Sequence, residues 1–168
     1  MSAMRPFPAV PLLAALLAPA LARAAAPVYV HMNGGNYFLE PVVAVRPGQP
    51  VVFVNQDTGA HTIAGYNPLT GALSRRFEAT LAGTKGPGHK LATYTVSFAK
   101  AGFKPYLCTV HARLASTFGG AVQPVKRAGT HGFKGPMAGL IVVTTDPALL
   151  ADNPPTAAEK IVPGFFGG

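Results

Sequence analysis

The stretch Phe-Lys-Pro-Tyr-Leu-Cys-Thr-Val-His, residues 103–111, carries the most specific pattern in this sequence. Its aromatic and apolar residues predict a β-strand that ends at Cys108, where the chain leaves the sheet. A thiolate and an imidazole three residues apart at such a junction, Cys108 and His111, can reach one metal ion, and that donor mixture favours copper. The alternative is a buried cysteine beside an ordinary surface histidine. Cys108 is the only cysteine, so an internal disulfide is excluded.

Two further residues extend this candidate site. His61 follows the polar turn 56–60, directly after the apolar run 50–55, and a sandwich can return such a turn to the same end as Cys108. Met137 follows Gly135 and Pro136 at the entrance to a late strand, although a methionine there could equally fill the core. Two histidines, one cysteine and a weak axial thioether make the ligand set of a blue-copper site.

Composition and patterning predict an all-β protein. Seventeen prolines and 19 glycines divide the chain into short segments rich in Val, Thr, Tyr and Phe. We expect a Greek-key antiparallel β-sandwich of about seven or eight strands. The predicted strands are 28–32, 38–45 with an interruption at Pro41, 50–55, 73–81, 91–98, 103–108 and 140–144.

The motifs together resemble a known family. Asn55-Gln56-Asp57, His61, the Y-x-C-x-x-H segment 106–111 and the M-x-G segment 137–139 resemble the plastocyanin, pseudoazurin and amicyanin branch of the cupredoxins. The resemblance covers roughly residues 28–144. It implies an eight-stranded Greek-key sandwich with one type 1 copper per chain, held by His61, Cys108, His111 and Met137. It also implies transfer of single electrons between larger redox partners.

The sequence departs from that family in two places. Family members place the axial methionine a few residues after the second histidine, whereas 25 residues, 112–136, separate His111 from Met137 here. This segment is predicted to be a long irregular loop, and it contains His131, which could replace Met137 as a ligand. Thr62 stands where the family often has an asparagine that ties the two ligand loops together. That hydrogen bond is therefore altered or made by another group.

The chain is predicted to be exported as one domain. Residues 1–24 have a positive start, an apolar run and a small-x-small pattern, which predicts a signal peptide cleaved near Ala24 and a periplasmic protein. A retained N-terminal anchor is the alternative, but the apolar run is shorter than the roughly 20 residues that span a bilayer. A cupredoxin domain at 25–144 follows, with 112–136 inserted. The tail 145–168 is predicted to be loosely ordered, with a short helix around 156–161.

Charge indicates the kind of partner. The net charge of +8 falls to +6 when Arg5 and Arg23 leave with the signal, which favours a redox partner with an acidic docking surface. The basic residues are scattered, which argues against nucleic acid. We expect a monomer without stable membrane insertion and without enzymatic activity. A copper-handling protein that does not cycle between redox states is the alternative. An open single-copper enzyme site that includes His131 ranks below both.

Overall fold

The computed structural model describes residues 25–130 and 135–158. Eleven strands and one short helix account for the regular structure of that part of the chain. In chain order these are β1 (Val28–Asn33), β2 (Tyr37–Phe38), β3 (Val42–Val45), β4 (Val51–Asn55), β5 (His61–Tyr66), β6 (Leu73–Leu81), β7 (Ala92–Val96), β8 (Gly102–Leu107), β9 (Ala112–Ser116), β10 (Val122–Lys126), β11 (Ala138–Val143) and α1 (Pro147–Ala151).

Two sheets form the predicted β-sandwich. One sheet has the order β2-β1-β4-β7 and the other the order β3-β11-β8-β5-β6. Between them lies an apolar core centred on Tyr106, whose ring packs against Phe38, Phe53 and Phe77 with centroids 4.9, 5.1 and 5.8 Å away. The sequence predicted most of these strands to within a few residues, and the predicted interruption at Pro41 separates β2 from β3. It did not predict β5, which begins at His61.

Two strand pairs differ from the antiparallel pairing that the sequence predicted. Strand β1 runs parallel to β4, with Val28 opposite Val51, and β3 runs parallel to β11. The remaining pairs are antiparallel. Alternation of apolar and polar residues shows which face of a strand is buried but carries no information about its direction, so the sequence could not reveal these two pairs.

The inserted segment 112–136 differs in part from the irregular loop that the sequence predicted. Its first part is a hairpin in which β9 pairs with β10, from Ala112 opposite Lys126 to Ser116 opposite Val122. Gly119 and Gly120 supply the positive φ angles of 105° and 86° that the tip needs. The signal was weak because Pro124 interrupts an already short and mixed β10 segment.

The hairpin is held to the sandwich by a small apolar cluster. Ala112 is fully buried with Ala64 of β5 and Leu107 of β8, and Tyr66 and Leu114 pack at the edge of the same cluster. The Val122 N–H also donates to the Pro68 carbonyl at 2.8 Å. The inserted chain therefore folds onto the five-stranded sheet next to the end of β8.

The tail also differs from its prediction. Its helix lies at Pro147–Ala151, capped by the Asp146 side chain, which accepts from the Ala148 N–H at 2.9 Å. The Asn153 side chain then exchanges two hydrogen bonds of 2.6 Å with the backbone of Ala44. Of the predicted helix 156–161, residues 156–158 are not helical and the remainder lies outside the described residues. Within the described ranges, no helix is long and apolar enough to cross a membrane.

Candidate metal centre

The end of β8 and the start of β5 place the candidate residues together. Cys108 follows β8, and its carbonyl accepts from the N–H groups of His111 and Ala112 at 3.1 and 2.8 Å. This tight turn brings His111 back beside Cys108. Strand β5 pairs with β8, with Ala64 opposite Leu107, so His61 at the start of β5 reaches the same place.

Three donor atoms converge there. The Cys108 sulfur lies 3.8 Å from Nδ1 of His61 and 3.4 Å from Nδ1 of His111. The ligand atoms of the three residues all lie within 4.8 Å of one another. Cys108 and His61 are fully buried, whereas His111 is partly exposed. The structure thus brings together three of the four residues predicted from sequence through atoms that can share one ion.

Asp57 fixes the orientation of His61. Its Oδ2 lies 2.9 Å from Nε2 of His61, so that ring nitrogen carries a proton and donates a hydrogen bond to the carboxylate. In the neutral ring this leaves Nδ1 unprotonated and directed at Cys108, whereas the protonated ring donates from Nδ1 to the Cys108 thiolate. Burial opposes the charged form of the imidazole, but its contacts with Cys108 and Asp57 outweigh burial and raise the pKa of His61. Burial likewise opposes ionisation of Asp57, but its hydrogen bond with His61 prevails and lowers its pKa.

Asn55 holds the turn that carries Asp57. This buried amide donates to the carbonyls of Gly59 and Ala82 at 2.9 and 3.0 Å, and its Oδ1 accepts from the Asp57 N–H at 3.0 Å. The asparagine and aspartate of the Asn55-Gln56-Asp57 motif therefore have separate roles. One closes the turn, and the other orients the histidine at its end.

Thr62 makes the tie between the two ligand segments. Its Oγ1 accepts from the Thr109 N–H at 2.7 Å and lies 2.9 Å from the Thr109 hydroxyl. Its own N–H donates to the Cys108 sulfur at 3.3 Å. Thr62 therefore does what the resemblance assigned to asparagine at this position, through a hydroxyl instead of an amide.

The surroundings of Cys108 favour ionisation of its thiol. Burial opposes the thiolate, but hydrogen bonds with His61, Thr62 and His111 outweigh it and lower the pKa of Cys108 to about 6. The thiolate is the form that binds metal ions. The lowered pKa of Cys108 therefore favours the form of the sulfur that binds a metal ion.

Met137 lies next to these residues. Its side chain is buried in the same core cluster as Cys108, and its carbonyl accepts from the Cys108 N–H at 2.9 Å. The backbone of the predicted fourth ligand is thereby fixed against the first residue of the ligand segment. His131, the predicted alternative to Met137, lies outside the described residues.

The donor set fits a copper ion. With the metal–nitrogen and metal–sulfur distances of zinc sites, about 2.0 and 2.3 Å, nitrogen and sulfur in a trigonal plane around an ion of this kind stand about 3.7 Å apart. The two sulfur–nitrogen separations of 3.8 and 3.4 Å in the structure lie on either side of that value. Two imidazoles with one thiolate satisfy both oxidation states of copper.

Comparison with solved structures finds cupredoxins. A purple cupredoxin from Nitrosopumilus maritimus has 17% identity and a TM-score of 0.45, over 71% of this chain and 100% of that chain. Amicyanin from Paracoccus versutus has 21% identity and a TM-score of 0.41, over 75% and 86%. The reduced state of an amicyanin variant has 19% identity and a TM-score of 0.43, over 70% and 82%. No protein-family model matches the sequence, and a comparison with curated proteins finds no match.

Sequence reasoning did not assign a role to two residues at the site. Asp57 was recognised as part of a motif, and its spacing of four residues from His61 was the available signal for their contact. Arg127 donates to the Thr109 carbonyl from Nε and Nη2 at 3.2 and 3.0 Å. It is one of many scattered basic residues, and nothing in the sequence distinguishes it.

Proposed function

We propose that this chain is a type 1 copper protein that carries single electrons between redox proteins. The convergence of the Cys108 sulfur with Nδ1 of His61 and of His111 carries the proposal. His61, Cys108 and His111 would hold the ion, and Met137 is proposed as the weak axial ligand. A copper ion bound there would supply one-electron chemistry between Cu(I) and Cu(II).

The surrounding protein favours an electron carrier. Asp57 holds the His61 ring, and Thr62 holds both the Cys108 sulfur and the next peptide group, so these two donors are held without metal. Donors fixed in this way move little when the charge of the site changes, which suits rapid electron exchange. Since His111 is the partly exposed member of the set, we expect electrons to enter and leave on its side.

We propose the location and the partner from the sequence. We propose that residues 1–24 direct export to the periplasm, that the mature chain is a monomer, and that it is not an enzyme. The mature charge of +6 favours a redox partner with an acidic surface. Association should then weaken as salt is added, and a docking rate independent of ionic strength would contradict this part of the proposal.

A spectroscopic titration tests the function. Cu(II) is added to the metal-free chain, and the visible spectrum is recorded before and after reduction. An intense blue band at one copper per chain, lost on reduction and restored on oxidation, supports the carrier. Cys108→Ser removes the thiolate and should abolish the band, and a surviving band would show that the copper lies elsewhere.

Two other outcomes separate the alternatives. Tight but colourless binding without reversible cycling would identify a copper-handling protein. A red or green centre that binds small anions would indicate an open coordination position, as in an enzyme. Either result would overturn the electron-carrier proposal.

A further inference from the structure

The hairpin inserted after His111 returns the chain to its starting point. Ala112 at the start of β9 lies opposite Lys126 at the end of β10. At the next position the Arg127 N–H donates to the His111 carbonyl at 3.0 Å. The chain therefore leaves the metal centre at His111 and comes back beside it 16 residues later.

The side chain of Arg127 makes a second contact with the ligand segment. Its Nε and Nη2 atoms both donate to the Thr109 carbonyl, at 3.2 and 3.0 Å. A guanidinium is always charged and planar, so one oxygen can accept two of its hydrogen bonds in a defined geometry. Arg127 thus contacts the segment 108–111 through both its backbone and its side chain.

Thr109 is consequently held from both sides. Its N–H donates to Thr62 Oγ1 at 2.7 Å, and its carbonyl accepts from Arg127. The peptide groups before and after Thr109 are both fixed, and they lie between the two donors Cys108 and His111. One restraint comes from β5 and the other from the inserted hairpin.

We propose that Arg127 is a positioning residue that holds segment 108–111 in its metal-binding geometry. This inference rests on the copper site proposed above. A short connection between the second histidine and the methionine would restrain the ligands by its length, but a connection of 25 residues restrains its ends little by length alone. The hairpin ladder and the Arg127 contacts restore the restraint at the point where the insertion begins.

Hydrogen exchange in the metal-free chain tests the restraint directly. Arg127→Met removes the guanidinium, and we expect the amide hydrogens of Cys108 and Thr109 to exchange about three- to tenfold faster. Arg127→Lys keeps the positive charge but not the planar guanidinium, and its exchange rates should lie between those of Arg127→Met and the unmodified chain. Arg113→Met is the matched control, because Arg113 is an exposed arginine on β9 of the same hairpin. In Arg113→Met, the Cys108 and Thr109 amide hydrogens should exchange at the same rates as in the unmodified chain.

The copper-loaded proteins give a second readout that loss of general stability would not reproduce. Arg127→Met should shift the visible band and lower the reduction potential, because a positive charge beside the ligand segment favours the less positive reduced site. Arg127→Lys should recover part of both changes, and Arg113→Met should cause smaller ones.

The inference is overturned if Arg127→Met and Arg113→Met give the same amide exchange and the same visible band. A separate result concerns the copper site itself. If the unmodified chain gives no intense band with Cu(II), the proposed function fails, and the exchange measurement still decides whether Arg127 restrains segment 108–111.

Discussion

The carboxylate of Asp57 accepts a hydrogen bond of 2.9 Å from Nε2 of His61, the ring nitrogen that faces away from Cys108. Because a neutral imidazole carries one proton, this contact leaves Nδ1, on the side of the sulfur, unprotonated and able to bind a metal ion. Asp57 lies four positions before His61, so one turn places the orienting group next to the ligand that follows it.

Removal of Asp57 should weaken metal binding. Asp57→Ala frees the His61 ring and is expected to lower copper affinity about 10- to 100-fold, the usual effect of losing a partner of a metal-ligating histidine. Asp57→Asn keeps an oxygen that can accept the hydrogen bond from His61, so its copper affinity should fall by less. Competition titration against a chelator measures both. Glu78→Ala removes an exposed acid from β6 as the charge control, and equal affinities for the Asp57 and Glu78 variants would contradict the assigned role.

Thr62 should contribute to stability through its hydroxyl. Thr62→Val keeps the shape but leaves the Thr109 N–H without its acceptor, which should cost about 1–3 kcal/mol in urea unfolding of the metal-free chain. Thr62→Ser should restore most of that loss. Thr80 faces Thr62 across the β5–β6 pair and is exposed, so Thr80→Val should change stability by less than about 0.5 kcal/mol. Equal losses for the two valine variants would contradict the prediction.

The glycine of the M-x-G motif is required by packing. A Cβ at Gly139 would overlap the Tyr106 ring and the Pro41 carbonyl, because β11 lies close against both. Gly139→Ala should therefore destabilise the chain by about 1–3 kcal/mol or more and lower the melting temperature. A Cβ at Gly135 would meet nothing within 4 Å, so Gly135→Ala is the control. A melting temperature of Gly139→Ala equal to that of this control would contradict the prediction.

The thiol of the metal-free protein should titrate at unusually low pH. Ultraviolet absorbance of the thiolate should appear with a midpoint near pH 6 in the folded chain, because hydrogen bonds outweigh burial and lower the pKa of Cys108 to about 6. In the unfolded chain the thiol returns to its ordinary pKa of 9.0. A pKa lowered by folding stabilises the folded state. This stabilisation of the folded state is fully present above about pH 9 and is lost as the pH falls through about 6.

Two observations check this titration. Cys108→Ser should show no absorbance step over the same range, and its stability should vary less with pH between about 6 and 9. A folded-state midpoint at or above the ordinary value of 9.0 would contradict the prediction.

The sequence predicted the parts of the molecule that depend on local pattern. Strands β4, β7 and β8 stand out because apolar or alternating runs end at turn residues, and the ligand motifs adjoin the ends of β4 and β8. The pairing of β1 with β4 and the fold of the inserted hairpin depend on contacts between distant segments, which a single sequence does not display. The same is true of the fully buried pair His31 and Glu40, whose closest side-chain contact is 3.2 Å. A histidine and a glutamate nine residues apart have no recognisable spacing.

The inserted hairpin also offers a site for attaching a label, because its paired ends lie beside the metal centre. Its strands are five residues long, so the tip lies about 17 Å from the base, and the side chain of Phe118 at that tip is fully exposed. The chain's single cysteine is buried. Phe118→Cys would therefore give one accessible thiol for attachment to a dye or an electrode, joined to the metal centre by two paired strands.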